Sequence, residues 1–283
     1  MTDIDAEKPL LTLIVPTYNV AAHIAANLRE MTLALEVLET PFELLVVCDG
    51  STDGTAAAAA GLGDERVRVL RYEQNRGKGY AICFGVTRAR GRLVGWLDAD
   101  LDVDPQAIVT AVRRLQDRSL DAVIGSKRHP ESDVDYPIGR RFFSWGFQLL
   151  VRLLFRLDVR DTQVGAKLFR REMLETVVPL LLIKQYAFDL EVLAVGAEFG
   201  FDRIEEIPVR LDYKFRGTGV NRDAVQRMFL DTLAIAYRIH LRHWYARRFA
   251  ALQRQRADAE TGVERASLVP DASTWSEILA DHP

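Results

Sequence analysis

The feature that most constrains this chain is a series of short, largely unbroken apolar runs, each followed by a helix-like segment. Residues 10–15, 42–48, 67–70, 93–97 and 122–124 read as strands without the apolar–polar alternation of a half-exposed sheet. Strands apolar on both faces belong in a mostly parallel sheet covered by helices on each side, an α/β architecture. The intervening segments fit: helical patterns run over about 20–38, 56–60 and 80–89. Another starts at Asp104-Pro105, with the acid as cap and proline at the first helical position. Open sheets of this kind bind ligands at the carboxyl ends of their strands. Tyr18, Asp49, Asp98 and Asp100 all fall at or just past such ends.

The second half is less regular. Residues 142–157 and 190–198 read as helical, 167–169 and 204–211 as strands, and 224–249 as one long helix or two. The expected organisation is one domain over 1–249, with a nucleotide-binding half at 10–125 and an acceptor half at 126–249. A mobile polar tail follows over 250–283. A chain of 283 residues, 48% hydrophobic, has ample material for one core. Its net charge of −3 supplies no field for nucleic acid, which is excluded as a partner. Two cysteines, Cys48 and Cys83, each in or beside an apolar stretch, suit a reducing compartment rather than a disulfide framework. The first nine residues lack the apolar core of a signal peptide. The longest apolar helix is broken by Arg152 and Arg156, so no membrane span is expected. Self-association into a homo-oligomer is compatible with the sequence.

Three polar motifs follow the strands. In Trp96-Leu97-Asp98-Ala99-Asp100-Leu101, two carboxylates one residue apart can share a hard divalent cation or divide between metal and ribose. In Cys48-Asp49-Gly50-Ser51-Thr52-Asp53, Asp49 is a candidate acceptor for a nucleoside. At least one of Ser51, Thr52 and Asp53 is expected to cap the next helix. In Asn75-Arg76-Gly77-Lys78-Gly79, two glycines, two cations and a following helix N-terminus suit a phosphate, although a flexible basic turn has the same composition.

Together with Val15-Pro16-Thr17-Tyr18-Asn19, these motifs occur in order, one after each of the first four strands. That arrangement resembles the inverting glycosyltransferase family 2 and its GT-A fold, over roughly residues 10–245. The resemblance implies that Pro16, Tyr18, Asp49, Asn75 and Lys78 bind the nucleotide. It also implies that Asp98 and Asp100 hold Mg²⁺ or Mn²⁺ against the diphosphate. Gly125-Ser126-Lys127-Arg128, Asp161-Thr162-Gln163-Val164-Gly165 and Phe188-Asp189-Leu190-Glu191 narrow it to the polyprenyl-phosphate sugar synthases, the group of dolichyl-phosphate mannose synthase and dolichyl-phosphate glucosyltransferase. The implied reaction joins a hexose from UDP-glucose or GDP-mannose to polyprenyl phosphate. Two departures stand out: Lys127 where the best-known members carry arginine, and Thr218 without the lysine that many members have beside it.

A phosphate acceptor, already ionised at pH 7, needs positioning rather than a general base. Lys127, Arg128 and Arg216 are the candidates to hold it, while Asp161 and Gln163 are expected beside the sugar. Asp161 becomes a base if the acceptor is a hydroxyl, and its other reading is a turn residue. Asp189 and Glu191 are expected either to line the substrate site or, at a helix start, to serve the helix dipole. On a helical wheel Arg141, Arg152 and Arg156 share one arc, opposite Phe143, Phe147, Leu150, Leu154 and Leu157. Arg227, Arg238 and Arg242 form a second stripe. Such amphipathic helices can lie in the headgroup layer, which predicts a peripheral enzyme on the cytoplasmic face of a membrane. Packing on the domain with the arginines in water is the competing reading. The other functional readings are transfer to a soluble or glycolipid hydroxyl, nucleotidyl transfer, and a non-catalytic sugar-nucleotide-binding protein.

Overall fold

The computed structural model describes residues 8–133, 138–183, 185, 187–211 and 222–261. Seven strands form one sheet: β1 (Leu11–Thr17), β2 (Phe42–Asp49), β3 (Val67–Tyr72), β4 (Leu93–Leu97), β5 (Ala122–Ser126), β6 (Ala166–Arg170) and β7 (Ile204–Pro208). Their order is β3-β2-β1-β4-β6-β5-β7. All neighbours are parallel except β6, which runs antiparallel between β4 and β5. The helices in chain order are α1 (Ile24–Glu36), α2 (Thr55–Ala60), α3 (Lys78–Val86), α4 (Gln106–Asp117), α5 (Ile138–Phe155), α6 (Arg171–Val177), α7 (Phe188–Glu198), α8 (Arg222–Ala236) and α9 (Trp244–Thr261). A π-helical turn, Tyr237–Leu241, joins the last two.

Every residue of β2 and β4 is buried. Leu45, Val47 and Trp96 face one core with Ile14, Phe169 and α7, while Leu44, Val46 and Leu97 face another with Leu13, α1 and α4. Each such side chain contributes about 1.5–3 kcal/mol on burial. Burial on both sides is therefore the reason these strands carry no polar alternation. Asp104 serves its expected capping role: its carboxylate accepts the Gln106 N–H at 2.9 Å.

Several boundaries differ from the sequence reading, and a short helix, α6, was not expected; two differences have a clear physical cause. α1 begins at Ile24, because the segment from Val20 closes a separate turn in which the Val20 carbonyl accepts the His23 and Ile24 N–H groups. α9 continues past residue 249 to Thr261, with Leu252 packed against the core, so residues 250–261 are helical rather than tail. A polar composition conceals a helix held by one seam of contacts. Residues 262–283 lie outside the described residues. No helix among the described residues is long and apolar enough to cross a membrane.

Candidate functional site

The antiparallel insertion of β6 determines the site. Because β6 starts where β4 ends, the 161–165 loop arrives at the rim formed by the carboxyl ends of β1, β2 and β4. Pro16 is half-buried in β1, and Tyr18, just past its end, is 52% exposed. The chain turns at Asn19, whose φ is 52°. Its side-chain oxygen accepts the Thr52 N–H, and Ser51 Oγ accepts the Asn19 N–H. Asp53 accepts the Ala21 N–H with one oxygen, and both the N–H and hydroxyl of Thr55 with the other. Ser51 and Asp53 thus join two loops; the N-cap of α2 is Gly54, φ 86°, rather than one of Ser51, Thr52 and Asp53, and Asp53 holds the Thr55 N–H from the position before it.

Asp49 is 4% exposed, and its two oxygens accept the N–H groups of Arg76 (2.6 Å) and Gly77 (2.8 Å). Asn75 donates its side-chain amide to the Asp49 carbonyl at 3.3 Å. Gly50 permits the closeness: its φ is +65°, and a Cβ there would lie 2.4 Å from the Asn75 nitrogen. Asp49 and Asn75, both expected to bind nucleotide, therefore first pin the basic turn to the end of β2. Arg76 stacks on the Tyr80 ring at 4.8 Å.

Lys78, the first residue of α3, pairs with Asp98 across this rim. Burial is the largest single influence on its ammonium and pulls the pKa down. The charges of Asp98, Asp189 and Asp100 outweigh it, and the net shift is upward. Asp98 is hemmed in by Gly165, where a Cβ would stand 1.9 Å from its Oδ2. Asp100 is exposed and accepts the Asp102 N–H at 3.1 Å. Leu101 follows in the left-handed region, φ 58°, with its side chain buried. A branched residue held there is strained, and such strain gathers at functional loops. Asp98 and Asp100 are the carboxylates able to hold a divalent ion here. Among the described residues no group of three or more His, Cys, Asp or Glu is assembled. Two hard oxygen donors fit Mg²⁺ or Mn²⁺ when phosphate oxygens and water complete the shell.

Asp161 and Asp189 make contacts that the sequence left open. Asp161 occupies a turn: its carboxylate accepts the backbone N–H groups of Lys127 (3.2 Å) and Gln163 (3.0 Å), and its own N–H donates to Glu206. The turn reading holds for it, and it fixes where Lys127 emerges. Gln163 donates its amide to Thr162 Oγ1, and Arg128 donates its N–H to Ser126 Oγ. Asp189 does not line an open site. It is 6% exposed and accepts the Trp96 Nε1–H at 3.2 Å and the Lys167 ammonium at 2.8 Å. The reason is β6, which sets Lys167 opposite Trp96. Arg216 lies outside the described residues.

Lys167 is the residue the sequence reading passed over. It is fully buried, and its ammonium also donates to the Val164 carbonyl. Burial pushes its pKa down, against the pull of Asp189. A lysine at the head of a short strand-like segment, residues 167–169, was the available signal, since a buried charge demands a partner. Glu191, two residues past Asp189, faces the other way. Fully buried, it accepts the Tyr245 hydroxyl at 2.6 Å and the N–H groups of Leu182 and Ile183.

The helical wheels also need correction. On α5, Phe147, Leu154 and Phe155 pack on the core, so the arc opposite the arginines faces the domain. The exposed apolar residues are Leu149 and Leu153, beside exposed Arg152 and Arg156. The second stripe is broken: Arg238 is half-buried near Glu191 and Tyr245, whereas Arg227 and Arg242 are exposed. α8 packs beside α5 and exposes Phe229, Leu230 and Leu233, with Tyr237 and Leu241 beyond it. The side chains of Arg141 and Phe143 lie outside the described set. A cleft of about 570 Å³ at the opposite end of the sheet contains Arg170 and Arg171, but their guanidiniums are occupied by the carbonyls of Leu115, Leu120, Gly91 and Ala89.

The family model described as glycosyl transferase family 2 matches residues 12–178. A dolichyl-phosphate beta-glucosyltransferase of Drosophila melanogaster is 37% identical over 222 residues, covering 73% of this chain and 68% of that one. The Homo sapiens protein of the same name is 32% identical over 221 residues, covering 72% and 68%. Among solved structures, glucosyl-3-phosphoglycerate synthase from Mycobacterium tuberculosis in complex with UDP aligns with a TM-score of 0.63 at 18% identity, over 82% of this chain and 81% of that one. The same enzyme with Mn²⁺ and UDP-glucose aligns at 0.59 and 20% identity, over 82% and 80%. That likeness establishes the fold, a mostly parallel GT-A sheet flanked by helices. With the family model covering more than half its length, this chain belongs to glycosyl transferase family 2.

Proposed function

We propose that this protein transfers glucose from UDP-glucose to polyprenyl phosphate at a membrane surface, with inversion at the anomeric carbon. Its relatives named for dolichyl phosphate and glucose support the substrates, and the structural relative bound to UDP and Mn²⁺ supports the donor class. The observation that carries the acceptor is the state of the two candidate bases. Both oxygens of Asp161 accept backbone N–H groups, and Asp189 is 6% exposed with its Oδ1 shared by Lys167 and Trp96. A hydroxyl acceptor needs a free base, whereas a phosphate arrives ionised.

In this reading Tyr18 faces the nucleoside, the turn pinned by Asp49 presents its backbone, and Lys78 neutralises phosphate charge. Lys127, placed by the Asp161 turn, and its neighbour Arg128 hold the acceptor phosphate, and Arg216 joins them. Asp98 and Asp100 would hold Mg²⁺ or Mn²⁺, whose charge favours departure of the diphosphate. Leu149, Leu153, Phe229, Leu230 and Leu233 form an apolar face flanked by Arg152, Arg156 and Arg227. That face enters the lipid boundary on the cytoplasmic side, with the cations at anionic headgroups.

Radiolabelled UDP-glucose and extracted polyprenyl phosphate test the proposal. Labelled lipid and UDP should form together, and Asp100→Ala should stop both while leaving the melting temperature unchanged. Transfer to simple sugars but not to the lipid phosphate would reject the acceptor. Full turnover by Asp100→Ala would reject the metal assignment.

A further inference from the structure

Lys78 and Asp98 are each about one-third exposed, at 38% and 34% of their side-chain surfaces, yet they face each other rather than water. Lys78 engages Oδ1 of Asp98, and Oδ2 abuts Gly165. The carboxylate thus lies between the ammonium on one side and the Gly165 backbone on the other. A metal ion approaching Asp98 therefore meets a positive charge on the same carboxylate. Like charges that close repel strongly in a partly desolvated site.

We propose that Lys78 is a displaceable counter-ion: a divalent ion gains Asp98 only as the nucleotide diphosphate takes up the Lys78 ammonium. The step is an exchange of ion pairs, Lys78–Asp98 for metal–Asp98 and Lys78–phosphate, with no covalent bond made or broken. This rests on the donor-site reading above and adds the origin of its order of binding. Metal and nucleotide are then coupled through one side chain, and the coupling is reciprocal. A lysine that only gripped phosphate would have no bearing on metal bound alone.

Mn²⁺ affinity, read from the free-ion electron paramagnetic resonance signal, separates the two roles. It is measured with and without saturating UDP in the wild type, Lys78→Met and Lys78→Gln, with a thermal melt of each. The expectation is that both variants bind Mn²⁺ alone about tenfold more tightly than the wild type, and that UDP strengthens Mn²⁺ binding less than it does in the wild type. The Lys78→Arg variant should stay close to wild type. Unchanged or weaker binding of Mn²⁺ alone in a folded Lys78→Met or Lys78→Gln protein would overturn the proposal while leaving the donor site standing. A wild-type protein that binds neither Mn²⁺ nor UDP would remove the donor-site reading, and this inference with it.

Discussion

Replacing Gly165 by alanine adds one methyl group where the loop before β6 meets Asp98. That methyl carbon would lie 1.9 Å from Oδ2, 2.4 Å from Cγ and 3.1 Å from Oδ1 of Asp98, with no other group as close. The carboxylate must withdraw by roughly 1.5 Å to restore an ordinary van der Waals contact. Asp98 is partly exposed and can move toward solvent without opening a cavity. Gly165 has no positive φ that would forbid alanine. The cost to folding is then an off-rotamer side chain, about 0.5–1.5 kcal/mol, which lowers the melting temperature by a few degrees at about 2–4 °C per kcal/mol. Catalysis should suffer far more, since a misplacement of about 1 Å costs on the order of 10²-fold in rate, or about 2.7 kcal/mol in activation free energy. Initial rates of lipid glucosylation at saturating UDP-glucose, paired with a thermal melt, make the comparison. A Gly165→Ala protein that melts within a few degrees of the wild type and turns over within threefold of it would refute the assignment of Asp98 to the donor site.

Lys167→Met strands the Asp189 carboxylate in the interior with Trp96 as its remaining partner, and should cost about 3–5 kcal/mol in urea unfolding; the Lys167→Met/Asp189→Leu double variant should lose less than the two single losses added, and strict additivity would mean the pair is not coupled. Burial pushes the Glu191 carboxyl up to about 7 from an ordinary 4.5, against its hydrogen bonds from Tyr245, Ile183 and Leu182 and the charge of Arg238. The folded state therefore holds this proton more tightly than the unfolded chain, so the stability is full below pH 4.5 and lost as the pH rises through 7, by about 3 kcal/mol in all. Glu191→Gln should flatten that fall when urea unfolding is compared at pH 5 and pH 8; an identical slope in both proteins would show that Glu191 does not titrate there. A Leu153→Glu/Leu230→Glu protein should no longer float with anionic liposomes at low salt yet should bind UDP-glucose normally, and undiminished flotation would place the membrane contact elsewhere.

Much of the nucleotide-binding half was legible in the chain because its chemistry is local. β1, β2, β4 and β5 are covered on both faces, and an unbroken apolar run is the direct imprint of that burial. Each run ends at a polar residue, so Asp49, Asp98 and Asp100 could be placed at one rim before any coordinates. Their roles were less legible. Asp49 and Asp161 are polar residues beside glycines and turns, a setting in which ligand binding and loop fixation leave the same trace. Helical wheels marked α5 and α8 as amphipathic without saying which arc the core would take. On α5 the core took Phe147, Leu154 and Phe155, leaving Leu149 and Leu153 outside.

By itself the sequence determined an α/β sheet, the end of it that carries the polar residues, and the order of the motifs, since periodicity and strand termini are properties of neighbouring residues. Tertiary structure alone decided that β6 runs backwards between β4 and β5. That reversal sets Lys167 across from Trp96, buries Asp189 against it, and brings Gly165 onto Asp98. These partners are far apart in the chain, and a pairing between distant residues is settled by which strands lie side by side, a choice that no single segment records.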